Sequence, residues 1–275
     1  MSYLALVLVL TAALLHASWN LVLKTSRDRL TAAGVQLAIS AFVSFPFLLF
    51  WSLPLSALPY LVASSMFHLG YVITLVGAYD RADFSMVYPV ARGTAPILIT
   101  VGAAVALDEV PGVRGLIAIG LVAAGIVFIA AWQNGSGLLW ALATAVFIAG
   151  YMMVDGVAVR KLDSSIGYTL AAFIGFAITL VPVVLWRRTA AEITLTIREE
   201  GWSHLLAALA GVLGYVLVLA AARFAPLGLV SAFRETSVVF GAIGGWILLK
   251  EDLGRRRFLG AFLIAVGLLT LLIRV

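Results

Sequence analysis

Long apolar runs alternate with short polar breaks along the whole chain. A helix needs about 20 predominantly apolar residues to cross a bilayer, and by that measure the sequence predicts ten spanning helices. Their approximate bounds are 3–22, 32–51, 57–77, 83–106, 113–132, 137–157, 166–186, 202–222, 228–249 and 256–274. The unbroken apolar runs exclude the alternating pattern of membrane β-strands. The one long break, residues 187–201, has room for a short amphipathic surface helix.

The composition agrees with a protein that lies in a bilayer. Of the 275 residues, 63% are hydrophobic and 11% are charged, and the mean hydropathy is +1.12. A soluble domain carries about 25% charged residues, so this chain has too few to cover a surface in water. The N-terminal apolar run has no basic segment before it, so we interpret it as a span and not as a cleaved signal.

The same composition excludes several kinds of site. The chain has no cysteine, and its three histidines lie far apart without a metal-ligand spacing. It therefore has no disulfide framework and no thiolate metal site, and we expect neither a metal nor another cofactor. The net charge of +5 is modest and lies in short loops, where it sets membrane topology. We therefore expect no nucleic-acid partner.

Two apolar segments, residues 87–109 and 229–251, resemble each other. Aligned without gaps, they share a threonine, a glycine, a leucine, an arginine inside the apolar run and a terminal glutamate. The sequence LGYV precedes each segment by about one helix, at 69–72 and 213–216. Chance similarity between apolar segments accounts less well for an arginine and a glutamate at one common spacing.

These matches predict a repeat of five helices, with a first half over residues 1–134 and a second over 135–275. Because five is an odd number, the second half enters the membrane from the opposite side. This inverted repeat is the plan of many secondary transporters, whose solute site lies near the middle of the membrane between the halves.

Each half has a penultimate helix that closes on a glutamate, in VALDE and ILLKE, and a glycine-rich final helix. In this the chain resembles the EamA-type families of the drug/metabolite transporter superfamily, over nearly its whole length. The resemblance implies an all-α integral membrane protein with ten transmembrane helices in two inverted five-helix repeats. It also implies a bacterial inner-membrane carrier that exports amino acids or other small metabolites. Exporters of aromatic and hydrophobic amino acids belong to this superfamily, but the fold alone does not identify the solute.

The orientation in the membrane stays open at this point. Ten helices place both termini on one side, where the loops hold five basic residues, whereas the opposite loops hold eleven. The positive-inside rule therefore places the termini outside. The resemblance suggests cytoplasmic termini instead.

Arg92 and Arg234 are the first candidates for solute binding. An arginine near the centre of a span costs roughly 2.5–3.5 kcal/mol on insertion scales, so it usually faces the bundle interior or a wet cavity. There the two side chains are suited to hold a substrate carboxylate. The alternative is that they snorkel to the interface, which is easier for Arg234, about six residues from its predicted helix start, than for Arg92, about nine.

The first predicted helix carries a polar and aromatic stripe. His16, Trp19 and Asn20 lie at positions i, i+3 and i+4, so they share one face. Unmet polar groups are costly against lipid. The stripe therefore either lines a cavity for the solute or hydrogen-bonds a neighbouring helix.

Further aromatic and imidazole side chains lie inside the spans, where an interfacial belt does not account for them well. His68 and Tyr71 share one face of the third predicted helix, and Tyr215 occupies the position of Tyr71 in the second half. Tyr88 and Tyr151 each lie one helical turn before a charged residue. A cavity lined by these rings suits a hydrophobic or aromatic solute.

Two acidic residues are candidates for proton coupling. Asp155 shares a face with Tyr151 near the end of the sixth predicted helix, where a loop anchor is the alternative role. Glu235 is adjacent to Arg234, which it can neutralise, or it can take up a proton.

Four residues are assigned structural or gating roles. Glu109 and Glu251 close the fourth and ninth predicted helices, where an acidic group opposes the helix dipole and needs a partner. We expect them to form loop salt bridges or gating contacts. Pro89 and Pro96 remove backbone donors from the fourth helix and are suited to kink it.

The sequence thus predicts a secondary transporter that exports amino acids, with hydrophobic or aromatic ones favoured, by alternating access. Its expected partners are a small-molecule substrate and the bilayer, and we expect a monomer, with a dimer as the alternative. Drugs or other organic solutes are the alternative cargo. A membrane-embedded enzyme or a channel is the alternative of another class, but HExxH, GxSxG and the ATP-binding GxxxxGK[ST] do not occur. We therefore expect no enzyme activity.

Overall fold

The structure is a computed structural model that describes most of the chain. The residues outside its description are 1–2, 52, 107–111, 131–134, 163–164, 251–254, 271–275 and most of 224–249. Within the last range it describes Val230, Arg234, Ser237, Phe240, Trp246 and Ile247.

The described residues form α-helices and one short 3-10 helix, without a strand. The helices are α1 (Tyr3–Thr25), α2 (Arg29–Phe47), α3 (Leu58–Tyr79), α4 (Phe84–Ala106), α5 (Val113–Ala130), α6 (Ser136–Lys161), α7 (Ser165–Arg187), α8 (Ala190–Ala222) and α9 (Arg255–Thr270), and the 3-10 helix is Leu55–Ala57. The all-helical class is confirmed. The predicted ninth span, 228–249, lies largely outside the described residues.

Seven of these helices, α1–α4 and α6–α8, are long and apolar enough to cross a membrane. The apolar parts of α5 and α9 are shorter, Val113–Gly125 and Phe258–Gly267. A multi-pass membrane protein is therefore confirmed, whereas the arrangement of ten helices in two repeats stays a prediction.

The eighth helix differs from its predicted form. We expected residues 187–201 to hold a separate surface helix, but α8 begins at Ala190 and runs without a break for 33 residues. Thr189 and Glu192 form a capping box, in which each side chain bonds the backbone N–H of the other. This cap starts the helix before the membrane, and nothing in the following residues stops it.

Helix pairs across the predicted halves make the main contacts. α3 packs along α6, α1 along α8, α2 along α7, and α5 along α9. In the first pair, a Cβ built on Gly70 would lie 2.3 Å from the ring of Phe147, and one on Gly150 would lie 2.3 Å from the ring of Phe67. Each glycine therefore accepts a phenylalanine of the opposite helix, which brings α3 and α6 close together.

Three interhelical connections meet at one end of the bundle, which we call the charged rim: Arg27, Asp28, Arg29, Asp80, Arg188, Glu199 and Glu200. Arg29 Nη1 donates to Asp80 Oδ1 at 2.6 Å. The backbone N–H of Arg27 donates to Glu200 Oε1 at 3.2 Å. The predicted topology places these connections on one side of the membrane too.

Candidate functional site

A cavity lies between the helices at the centre of the bundle. The empty space in and around it amounts to about 660 Å³, including the part of its mouth that is open to solvent. Its lining comes from α1–α3, α6–α8 and Arg234: His16, Trp19, Leu23, Ala33, Gln36, Leu37, Ser40, His68, Tyr71, Val72, Leu75, Tyr151, Phe173, Phe176, Ala207, Ala208, Gly211, Tyr215 and Arg234. Both predicted halves therefore contribute to one site.

The stripe on α1 divides between two roles. His16 and Trp19 line the cavity, and Trp19 Nε1 donates to His16 Nδ1 at 3.2 Å, which fixes the two rings against each other. Asn20 is buried and accepts a hydrogen bond from the Tyr79 hydroxyl at 3.1 Å. Asn20 therefore ties α1 to α3, and the structure places it outside the described lining.

A cluster of rings forms one wall of the cavity. His68 stacks on Phe176 with centroids 3.8 Å apart and planes 4° apart. Tyr71 and Tyr151 lie 5.1 Å and 5.3 Å from the same imidazole, and Tyr215 lies 6.1 Å from Tyr151. These rings come from α3, α6, α7 and α8, so helix packing and not sequence proximity assembles them.

The two arginines occupy different places. Arg234 lines the cavity and is 1% exposed. Its Nη2 donates to the Tyr151 hydroxyl at 3.3 Å, and its Nη1 lies 3.0 Å from Met152 Sδ. Arg92 on α4 is 2% exposed and lies outside the described lining. Tyr88, one turn earlier, stacks on Phe84 with centroids 4.8 Å apart.

Asp155 lies behind the aromatic wall and is fully buried. Its carboxylate accepts hydrogen bonds from the hydroxyls of Tyr168 on α7, at 2.7 Å, and of Tyr215 on α8. Because Tyr215 also lines the cavity, its hydroxyl connects the carboxylate to the solute space. The carboxylate therefore joins α6, α7 and α8.

The remaining predicted residues bear less on the cavity. α4 is a continuous helix through Pro89 and Pro96. Glu109, Glu235 and Glu251 lie outside the described residues. Among the residues that the structure describes, no group of three His, Cys, Asp or Glu side chains is placed to hold a metal ion.

Several lining residues were not predicted. Phe173 and Phe176 on α7 could not be identified from the sequence, because a phenylalanine inside a span can face either lipid or a cavity. Gln36 was a detectable signal, because a glutamine inside a span needs a polar partner. That partner, the buried His204, lies 168 residues away and 3.2 Å from Gln36, a pairing that no local pattern predicts.

At the charged rim, Asp28 combines two structural roles. It caps α2 by accepting from the backbone N–H groups of Leu30 and Thr31, and it pairs with Arg188, whose Nη2 donates to its Oδ1 at 3.1 Å. Burial opposes ionisation of this carboxyl, but the bonds from Arg188 and Thr31 outweigh it and hold the pKa of Asp28 below its ordinary value. The same pair raises the pKa of Arg188.

Comparison with known proteins connects this geometry to a family. The sequence model of the EamA-like transporter family matches residues 135–273, half of the chain. A crystal structure described only as that of a protein shares the fold, with a TM-score of 0.72 and 16% identity over 97% of this chain and 96% of that chain. A search of curated proteins gives no significant match. The protein belongs to the EamA-like transporter family.

Proposed function

We propose that the protein is a secondary transporter that exports amino acids with hydrophobic or aromatic side chains. The observation that carries the proposal is Arg234, a buried cation in the wall of a cavity lined mainly by rings and aliphatic groups. Such a cavity offers two complementary surfaces to a solute that is anionic at one end and apolar at the other.

The cationic surface is suited to a carboxylate. A guanidinium holds a carboxylate through two parallel N–H donors, and such charged hydrogen bonds are about twice as strong as neutral ones. The bond from Arg234 to Tyr151 keeps the side chain directed along α6. Arg92 lies outside the described lining, and its buried positive charge adds to that of Arg234.

The apolar surface is suited to an aromatic or branched side chain. His68, Tyr71 and Tyr151 present ring edges and faces within 5.5 Å of one another, spacings at which aromatic groups attract. Drugs and other organic solutes with a ring also fit this wall, but a neutral drug has no anionic group for the guanidinium of Arg234 to bind.

Alternating access between two inverted halves is supported by the helix contacts. We match α1–α3 with α6–α8 and α5 with α9. Exchanging each helix for its match turns the α3–α6 contact into the α8–α1 contact, and both contacts are present. The same exchange turns the α2–α8 contact into the α7–α3 contact, and these two are present as well. The α2–α7 contact and the α5–α9 contact each join two matched helices, so the exchange leaves them unchanged. A two-fold relation between residues 1–134 and 135–275 generates such reciprocal contacts.

We assign the coupling proton to Asp155. A buried carboxylate that binds a tyrosine of the cavity wall is able to change its charge when the solute site changes. Glu235 is the second candidate, from its position next to Arg234 in the sequence.

We place the protein as a monomer in the inner membrane of a bacterium. The charged rim belongs to the side with eleven basic residues, so the positive-inside rule places the rim in the cytoplasm and the termini outside.

Purified protein in liposomes tests the proposal. We expect labelled L-phenylalanine to enter saturably, and faster when the liposomes contain unlabelled L-phenylalanine, because a carrier reorients sooner with solute bound. A channel would give flux that does not saturate. Export is tested in cells, where expression should protect against toxic p-fluorophenylalanine. If no amino acid in a full panel gives saturable exchange, the assignment of amino acids is wrong.

A further inference from the structure

A row of polar side chains leads from the charged rim to the cavity. Glu200 begins it at the rim, His204 lies one turn further into α8, and Gln36 faces His204 from α2. His204 is fully buried and Gln36 is 6% exposed, yet Gln36 lines the cavity. Gln36 is thus a polar side chain in the wall that is placed to contact the solute.

The contacts of His204 determine which way the amide of Gln36 faces. His204 Nε2 lies 3.2 Å from Glu200 Oε2, and the negative charge of this carboxylate favours a proton on Nε2 over one on Nδ1. In the neutral ring Nδ1 is then an acceptor. Gln36 Nε2, which lies 3.2 Å from Nδ1, must donate to it.

This arrangement leaves the amide oxygen of Gln36 for the cavity. With its nitrogen directed at His204, Gln36 presents an acceptor to the solute, and its partial negative charge attracts a cation. An ammonium group is a compact cation with three donors. Arg234 in the same cavity attracts the opposite charge.

We infer that Gln36 is a specificity-determining residue that binds the ammonium group of the solute, and that His204 and Glu200 are positioning residues that direct its amide oxygen into the cavity. The inference rests on the proposed function and sharpens it, because it makes the transported class zwitterionic. Carboxylates without an amino group then bind poorly.

Equilibrium binding tests this inference without requiring transport. The probes are L-phenylalanine and 3-phenylpropanoate, which differ by the amino group, and the ratio of their binding constants is measured on protein in nanodiscs. We expect wild type to favour L-phenylalanine. In Gln36→Leu the preference for L-phenylalanine over 3-phenylpropanoate should fall about tenfold, a loss of about 1.4 kcal/mol, because leucine has no acceptor for the ammonium group. Leucine is chosen because its side chain is similar in size to that of glutamine.

Two further variants separate positioning from folding. His204→Ala should lower the ratio, while His204→Gln, which retains an oxygen to accept from Gln36, should restore part of it. Phe42→Leu on α2 is the matched control, because Phe42 is 81% exposed on the lipid side. Its ratio should equal that of wild type.

The outcomes distinguish the inference from the proposed function. A ratio that is the same in Gln36→Leu as in wild type, or a wild type that binds both probes equally, overturns the role of Gln36, even where saturable flux supports the carrier. Absence of saturable flux, with the ratio still dependent on Gln36, contradicts the transporter and leaves an amine-selective binding site. If wild type binds neither probe, both are wrong.

Discussion

The arginines of the charged rim and the arginine of the cavity wall lie in contrasting settings. At the charged rim, Arg29 and Arg188 pair with the carboxylates of Asp80 and Asp28, at positions that water reaches. In the cavity wall, Arg234 is buried and contacts a phenol hydroxyl and a thioether. The difference teaches that the same side chain joins helix ends in one setting and lines a cavity inside the helix bundle in the other.

Replacement of Arg234 is the strongest test of this difference. We expect Arg234→Ala to lower the kcat/KM of L-phenylalanine exchange in liposomes by about 100-fold or more, the loss of at least about 2.7 kcal/mol. Arg234→Lys should recover part of it, because the charge stays but the two-pronged geometry is lost.

The control is an arginine of the rim side. Arg198 is exposed on α8, and Arg198→Ala should exchange solute at the wild-type rate. If Arg234→Ala inserts and folds as wild type does and still transports at an unchanged rate, the guanidinium of Arg234 does not bind the solute.

The second effect in size concerns energy coupling. Asp155→Asn keeps one acceptor oxygen, replaces the other with an N–H donor to which a tyrosine hydroxyl can turn its oxygen, and cannot bind or release a proton. We therefore expect solute exchange within about threefold of wild type and loss of accumulation driven by a pH gradient. Tyr168→Phe, which keeps the carboxylate, should retain gradient-driven accumulation. Accumulation by Asp155→Asn at the wild-type level would show that the proton is carried elsewhere.

The sequence predicted those residues of the cavity wall that are unusual inside an apolar span. Arg234, His68 and Tyr71 are conspicuous because apolar spans seldom contain them, and their faces follow from helical spacing. The sequence favoured Arg92 over Arg234, because Arg234 lies nearer its predicted helix start, whereas the described lining contains Arg234 and not Arg92. The depth of a side chain depends on how its helix packs, which sequence position does not give. Phe176 resembles a lipid-facing residue until α7 packs against α3 and places its ring on His68.

The fold was likewise predicted in part: the positions of most spans were predicted, and the start of α8 was not. Apolar length predicted the described spans with errors of a few residues, because the bilayer fixes the length that a helix needs. The start of α8 was wrong by about twelve residues, because hydropathy measures lipid contact and not helix continuity. The capping residues Thr189 and Glu192 were the local signal for the true start.

A moderate effect on stability is expected at the rim. Asp28→Ala removes both the cap of α2 and the pair with Arg188, so it should lower the free energy of unfolding by about 1–2 kcal/mol. Asp28→Asn keeps a capping oxygen and should lose about 1 kcal/mol or less. Thermal unfolding in detergent measures both, and the binding constant for L-phenylalanine should not change. Equal losses in the two variants would show that the ion pair contributes all of the effect.

The pH dependence of this pair has a definite sign. The pKa of Asp28 is lower in the folded protein than its unfolded value of about 3.9. The stabilisation by its charge is therefore fully present above about pH 4 and is lost as the pH falls through the lower folded pKa. We expect the stability difference between wild type and Asp28→Asn to be constant from pH 7 to 5 and to shrink below pH 4. A difference that grows on acidification would contradict the assignment.

The smallest effect is expected from the most exposed pair of the rim. Arg27 Nη1 lies 3.5 Å from Glu199 Oε2, with side chains 73% and 50% exposed. Water screens such a pair and ordering two long side chains opposes it, so exposed pairs contribute about 0–1 kcal/mol. Arg27→Ala should therefore change the free energy of unfolding by less than about 0.5 kcal/mol, and a double-mutant cycle with Glu199→Ala should show no more coupling than that. The backbone N–H of Arg27, which bonds Glu200, stays in this variant, so the link from the α1–α2 loop to His204 is kept. A large loss would mean that the side chains at the rim, and not the helix packing beneath them, hold this end of the bundle together.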